Sequence, residues 1–516
     1  MLNKAGRDIP MTLPCLSGRE VYRGEFAIAP KTRRAGKPVV QMRPGESKVL
    51  ASVDEVIEKT GLKDGMSISF HHHFRNGDYV VKIVMERIHE KGIKDLTLLC
   101  SSLSPCHEFL IEYIQDGTVT AIETSGLRDK LGKFLTNNPG VLKRPVVIRS
   151  HGGRARAVAC GEAHIDVAFM GVPACDSRGN ATGMLGKSAC GALGYAMIDS
   201  RYADKTVLLT DNLTDYVYPY SIPQTDVDYV VKVDAIGDPA GIASGATGIT
   251  RDPVQIKIAE MAAEVLDQAG IIEEGFSFQL GAGGAPLSVA KFIGEKLRAK
   301  NITAGFGIGG ATGILTGMLE DGLIKVIYDT QTFDTTAAAS LHDNPAHIEM
   351  SAGMYADPWT DCMTHYLDVV FLGATEVDLD FNVNVMTDSN GILMGASGGH
   401  SDTAAGAKCT VITVPLIRGR LPMILDSVQT VITPGSSVDI IVTDRGIAIN
   451  PKRTDLLERF KDSNLPIYTI EELQALAFSL VGKPETVKVG MSDKDVAAIV
   501  EYRDGTILDV IRRPIA

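Results

Sequence analysis

The sequence predicts an α/β protein formed by tandem duplication of an open, mostly parallel sheet domain with helices on both faces. Three observations predict it: strands and helices alternate, the two halves match segment by segment, and glycines gather where apolar runs end. The alternation begins with the β-branched run 66–70, a helical period over 78–90 and a second apolar run 96–100. The repeat pairs Ser67-Ile-Ser-Phe70 with Ser277-Phe-Gln-Leu280, and Asp116-Gly117 with Asp321-Gly322. It also pairs 164–171 with 366–373, Asp176 and Asn180 with Asp378 and Asn382, and 227–231 with 438–442. The offset stays within about 202 to 211 over these blocks, in order, which chance matches of apolar strands rarely give. The 52 glycines exceed the usual share of about 7% and fall where a turn, or a backbone close to a ligand, needs a residue without Cβ.

The chain has 516 residues, which at roughly 100 to 200 per domain is room for two to four domains. Residues 1–50 are rich in Pro, Gly and basic residues (Lys31, Arg33, Arg34, Lys37, Arg43) and read as an arm packed on the body or on another subunit. The first α/β domain is expected over 51–250, ending in a Gly, Ala and Ser-rich crossover at 237–250, and the second over 251–516. Asp252 as N-cap, Pro253 at the first helical position and Gly270 as stop mark the second domain's opening helix. The piece from Pro466, with a Thr469/Glu472 capping box, is expected to complete it. In each copy the ligand crevice should lie at the carboxyl ends of the strands.

Composition narrows the function. The formal charge is −12, from 51 basic and 63 acidic residues, and no basic run offsets it, so nucleic acid is excluded as the expected partner. No apolar stretch nears the roughly 18 residues a bilayer span needs, and the polar start lacks a signal-peptide core, so a cytoplasmic chain is expected. The eight cysteines form no C-x-x-C pair or paired metal-ligand spacing and read as reduced and mostly buried.

Four stretches could carry chemistry. Gln279-Leu-Gly-Ala-Gly-Gly-Ala-Pro286 is a strand, a glycine turn and a helix start, which either presents backbone N–H groups to an anion or oxyanion or is only a tight turn. In the first copy the same place holds His71-His72-His73-Phe74-Arg75. Adjacent histidines point to alternate sides and cannot all reach one metal, so substrate contact or packing is expected there, and no metal site. Arg149-Ser-His-Gly-Gly-Arg-Ala-Arg156 could clamp carboxylates through Arg149, His151 and Arg154, or be a solvated basic loop. Gly395-Ala-Ser-Gly-Gly-His-Ser-Asp402 offers further backbone donors, or a plain turn. Gly305-Phe-Gly-Ile-Gly-Gly310 fits a dinucleotide fingerprint with Asp329 as the ribose acid, which leaves an NAD-linked oxidoreductase as an alternative.

Phe70-His-His-His-Phe-Arg-Asn-Gly77, Arg149 through Arg156, Leu280-Gly-Ala-Gly-Gly-Ala-Pro286 and Gly398-Gly-His-Ser-Asp402, in that order, resemble the citrate lyase alpha subunit family, the citrate CoA-transferase subunit. The last two, with Ala374-Thr-Glu-Val-Asp378, are similar to the wider CoA-transferase superfamily, whose α/β domains occur in pairs. The resemblance implies exchange of acetate for citrate on an acyl-carrier or CoA thioester, within a complex that also holds an acyl-carrier subunit and a lyase subunit. It implies an oligomer with no tightly bound cofactor, the phosphopantetheine thioester being carried by the partner. Many superfamily members use a glutamate nucleophile in the loop that here reads Gly-Phe-Gly-Ile-Gly-Gly-Ala-Thr-Gly over 305–313, without a carboxylate. Direct attack by the incoming acid, through a mixed anhydride, is then expected. On this resemblance the catalytic residues are Gly283, Gly284 and Glu376, and His71, His72, Arg75, Arg149, His151 and Arg154 bind substrate. Gly281, Gly398, Gly399 and His400 face the thioester. A citramalate enzyme and a non-catalytic metabolite-binding module remain alternatives, and one site between the copies is expected because the glycine turn survives only in the second.

Overall fold

The computed structural model describes residues 1–28, 36–242, 250–281 and 283–515. Lys31, Arg33 and Arg34 of the arm, residues 243–249 of the crossover and Ala282 of the glycine turn lie outside the described residues.

The duplication is visible strand for strand. Across the first sheet the order is Tyr229–Lys232, Lys205–Thr210, Val167–Gly171, Ser67–Phe70, Leu96–Cys100, Val119–Thr124 and Val146–Arg149. The second sheet repeats it as Ile440–Val442, Cys409–Thr413, Val369–Gly373, Ser277–Leu280, Ala304–Gly309, Ile324–Asp329 and His347–Glu349, and all neighbours within both runs are parallel. A parallel sheet covered on both faces demands apolar strands, and Ser67–Phe70 and Val167–Gly171 are buried throughout.

The polar residues at the strand starts repeat as well. Asp166 takes hydrogen bonds from the Ser67 N–H and hydroxyl, both at 2.7 Å, as Asp368 does from Ser277 at 2.8 and 3.0 Å. Asp176 folds back on Asn180 as Asp378 does on Asn382, with amide to carboxylate distances of 2.9 and 3.2 Å. These pairs fall in the repeated sequence blocks: the Ser and Asp pairs tie the starts of neighbouring strands, the Asp and Asn pairs tie a turn, and both copies keep them.

The expected helix caps form. Asp252 accepts from Val254 N at 3.0 Å, Pro253 opens the helix Pro253–Gln268, and Thr469 and Glu472 close a capping box on Ile470–Val481. The two halves meet where the helix His151–Cys160 crosses Ala352–Ala356. Gly152 is needed there, since a Cβ would stand 2.0 Å from the Ala356 carbonyl oxygen.

One expectation is corrected. The C-terminal piece does not go wholly to the second half: Ile467–Tyr468 joins the second sheet, but the hairpin Val496–Glu501 and Ile507–Arg512 pairs with Val146–Arg149 and extends the first. The reason is apolar. Val496, Ile499, Ile507 and Val510 bury against Ile9, Leu13 and Leu16 of the arm, so arm and hairpin cap the sheet edge together. Val49–Leu50, at the end of the arm, forms the opposite edge of the same sheet.

Candidate active site

A cavity of about 720 Å³ opens between the halves, at the carboxyl ends of the strands of both sheets. The first half contributes His72, Arg75, Ser102, Ser125, Arg128, His151 and Tyr195; the second contributes Gln279, Gly281, Gln331, Phe333, Tyr355, residues 396–400 and Arg418. Its electrostatics are one-sided. Three arginines line it, and among the described residues none that lines it is an Asp or Glu. Arg128 donates to Ser102 Oγ at 2.9 Å, and burial pulls its guanidinium down. Burial and the charge of Arg128 bring Arg75 down to about 10. Two buried cations on the wall of a cavity whose described lining has no Asp or Glu can take carboxylates.

The histidines of the cavity are neutral hydrogen-bonding groups. Burial, then the neighbouring charges of Arg154 and Arg128, takes His151 down to about 3, and burial takes His400 to about 4 and His72 well below its ordinary value. His72 Nδ1 meets Ser101 Oγ at 2.5 Å and Nε2 meets Gln331 Oε1 at 3.1 Å, so Nε2 carries the hydrogen toward the carbonyl oxygen. His151 stacks on His72 with centroids 5.4 Å apart, and its Nδ1 is buried without a partner. His400 lines the wall, but both its nitrogens are engaged, with Thr433 Oγ1 at 2.6 Å and the Gly373 carbonyl at 2.9 Å.

Of the expected site residues, the structure brings His72, Arg75, His151, Gly281, Gly398, Gly399 and His400 to this one cavity. Four others are directed elsewhere. His71 Nε2 faces the Gly171 carbonyl at 2.7 Å and its Nδ1 faces His73, which places it in the packing behind the wall. Arg149 is not a substrate clamp: it is buried between Glu123 and Glu501, the latter at 2.9 Å. Arg154 is taken by Asp199 in a two-pronged pair at 2.7 and 2.8 Å. The basic stretch 149–156 is therefore an ion-pair network, in which Arg156 also meets Glu501 and Glu162 at 2.8 Å. Glu376 is buried on a second, small pocket of about 140 Å³ and accepts from Asn384 Nδ2 at 3.1 Å, so it neither faces the main cavity nor orients the Gly398 loop.

The glycine turn is only partly at the site. Gly281 lines the cavity, with its N–H given to the Phe371 carbonyl at 2.8 Å. Gly283 and Gly284 have φ of 81° and 59°, which other residues resist; they head the helix Gly284–Lys300 and are not among the residues that line the cavity. The dinucleotide alternative fails on geometry. Gly305 to Gly309 lie inside the strand Ala304–Gly309, where a Cβ on Gly305 would meet the Gly275 carbonyl at 2.4 Å. Asp329 is fully buried and accepts from Ala311 N, Gln331 N and Thr332 Oγ1 at 3.2, 2.9 and 2.6 Å, so no carboxylate is left for a ribose.

Several residues were not singled out by the sequence. Arg128 stands four positions past the strand Val119–Thr124, as Arg75 stands five past Ser67–Phe70, so distance from a strand's carboxyl end was the one usable signal. Asp402 lay within a quoted motif and proves to be the clasp between the halves: it accepts from Ser150 Oγ at 2.7 Å and from Gly152 N at 2.8 Å. Burial raises its carboxyl to about 6. The loop it supports is also tied by His151 N to the Gly398 carbonyl, at 2.8 Å.

Fold and cavity together define a paired-domain, CoA-transferase-like enzyme. A family model described as "Citrate lyase, alpha subunit" matches residues 46–514, and the chain belongs to that family. It is 51% identical over 470 residues to the citrate lyase alpha chain of Klebsiella pneumoniae, covering 91% of this chain and 92% of the relative. The match to that of Escherichia coli K12 is 48% over 471 residues, 91% of each. A crystal structure of the citrate lyase alpha subunit of Streptococcus mutans, in complex with citrate, superposes with a TM-score of 0.95 at 50% identity, covering the whole of both chains. The malonate decarboxylase alpha subunit of Acinetobacter baumannii shares the fold at a TM-score of 0.61 and 16% identity, over 87% of this chain and 85% of that one. Family membership makes the chain an enzymatic subunit, the citrate CoA-transferase component of citrate lyase. Among the described residues no helix is long and apolar enough to cross a membrane.

Proposed function

We propose that the cavity exchanges acetate for citrate on a thioester by direct carboxylate attack. The observation that carries this reading is the lining itself: three arginines and, among the described residues, no carboxylate to act as an enzyme nucleophile. The Streptococcus mutans relative is in complex with citrate, which supports citrate as the acid bound here.

In the first step a citrate carboxylate oxygen attacks the acetyl carbonyl, the carbon to sulfur bond breaks, and a thiolate leaves a mixed acetyl-citryl anhydride. The thiolate then attacks the citryl carbonyl and acetate departs, so that thioester and carboxylate are each regained. No net proton moves, in keeping with histidines held neutral by burial. The protein contributes alignment and charge stabilisation: Arg75 and Arg128 hold carboxylates, and the neutral histidines and Gln279 of the lining offer hydrogen bonds. The thioester is the phosphopantetheine arm of an acyl-carrier subunit, entering between the halves, and the citryl thioester passes to a lyase subunit.

The test is exchange by the isolated chain. Acetyl-CoA and citrate should yield citryl-CoA and acetate in equal amounts; hydrolysis of acetyl-CoA without citryl-CoA, or no reaction, would overturn the reading.

A further inference from the structure

We propose that Phe333 is a positioning residue that sets which acids the cavity accepts, by holding Arg75 ready for a substrate carboxylate that does not react. The proposal rests on the transferase reading for its reaction and on the following geometry for the residue.

Arg75 comes from the first half, just past Ser67–Phe70, and sits in the left-handed region at φ 52°. Its guanidinium carbon lies 4.1 Å from the ring centroid of Phe333, which comes from the second half. A guanidinium over an aromatic ring keeps its N–H groups free at the edges, where a carboxylate can take two of them. The Arg75 Nη2 is buried with no hydrogen-bond partner among the described residues, so a donor is waiting.

Phe333 is itself fixed. Its N–H donates to the Ala311 carbonyl at 2.9 Å, and a Cβ on Gly310 would stand 1.8 Å from its ring, so backbone fills the space behind it. The loop is anchored on one side by buried Asp329 and on the other by Asp334, which accepts from Gly313 N and Ala337 N at 2.7 and 2.8 Å. The same loop carries Gln331 to His72. One short segment of the second half therefore places two polar groups of the first.

The chemistry gives this a use. A tricarboxylate spends one carboxylate on the thioester and keeps two, and the cavity offers Arg75 and Arg128 in a lining with no Asp or Glu among its described residues. Acetate has no spare carboxylate and cannot profit from a fixed Arg75.

The experiment compares citrate with acetate in exchange with acetyl-CoA. Phe333→Leu should raise the citrate KM about tenfold and leave kcat and the acetate KM within about twofold. Phe333→Tyr, which keeps the ring, should restore the citrate KM, and Gly310→Ala, which pushes on the ring, should reproduce the leucine variant. Equal losses for citrate and acetate, or an unchanged citrate KM in Phe333→Leu, would overturn the proposal. Calorimetric citrate binding to wild type and Phe333→Leu reads the same difference without turnover. If wild type binds citrate but exchanges neither acid, the functional reading fails, and the binding comparison alone decides on Phe333.

Discussion

Arg128→Ala should lower kcat/KM for citrate by about 10²-fold, on the order of 3 kcal/mol, while leaving the folded protein as stable as before. Both halves of this result follow from the surroundings of Arg128. It lines the cavity and hydrogen-bonds Ser102, and no carboxylate among the described residues stands beside its charge, so on the proposed function its removal takes a binding group from the substrate and breaks no ion pair with a described residue. The loss should fall on citrate, whose carboxylates the proposed function assigns to it, and much less on acetyl-CoA. Steady-state kinetics with each substrate varied, beside a melting curve, check both parts. A large fall in melting temperature, or equal losses for the two substrates, would show that Arg128 holds the structure and not the acid.

Glu501→Ala is expected to do the reverse, destabilising the chain by about 3 to 5 kcal/mol without altering the cavity lining. Glu501 is fully buried between three guanidinium groups, Arg149 and Arg156 at 2.9 and 2.8 Å and Arg19 of the arm, and its loss would strand two buried cations with too little counter-charge. Burial alone would raise its carboxyl, but Arg149, Arg19 and Arg156 bring it down to about 2 from an ordinary 4.5. A depressed carboxylate stabilises the fold above its ordinary value, and that contribution is lost as pH falls from 4.5 toward 2. The difference in melting temperature between wild type and Glu501→Gln should therefore be full at pH 7 and shrink below about pH 4.5. A difference constant down to pH 3 would mean that the network owes its stability to packing and not to charge.

The duplicated sheets were legible because their determinants are local. A strand with its turn repeats as a short block, and the Asp and Asn pairs that tie the turns repeat with it. The path of the C-terminal hairpin was not legible. Val496–Glu501 pairs with Val146–Arg149 about 350 residues earlier, and its determinants are long-range: apolar burial against the arm, joined by Glu501 among arginines from the arm and the first half. The same long-range pairing misled the reading of the site. Arginines at 149, 154 and 156 around a glycine turn suit a substrate clamp when their partners are out of sight, yet Glu123, Glu501, Asp199 and Glu162 claim them. The glycine motifs succeeded where backbone alone decides: Gly281 and Gly398–Gly399 reach the cavity because the chain turns there. Arg128, Gln331 and Phe333 belong to no motif, and only the meeting of two halves gives them a role.

The central claim is that acyl transfer here needs no covalent bond to the protein. The most direct measurement is the intact mass of the chain after incubation with acetyl-CoA and quenching with borohydride, followed by peptide mapping. The cavity, with no Asp or Glu among its described lining residues, predicts an unchanged mass while exchange proceeds. A glutamate reduced to its alcohol, at Glu376 or anywhere else, would contradict the account and require a carboxylate nucleophile that reaches the thioester.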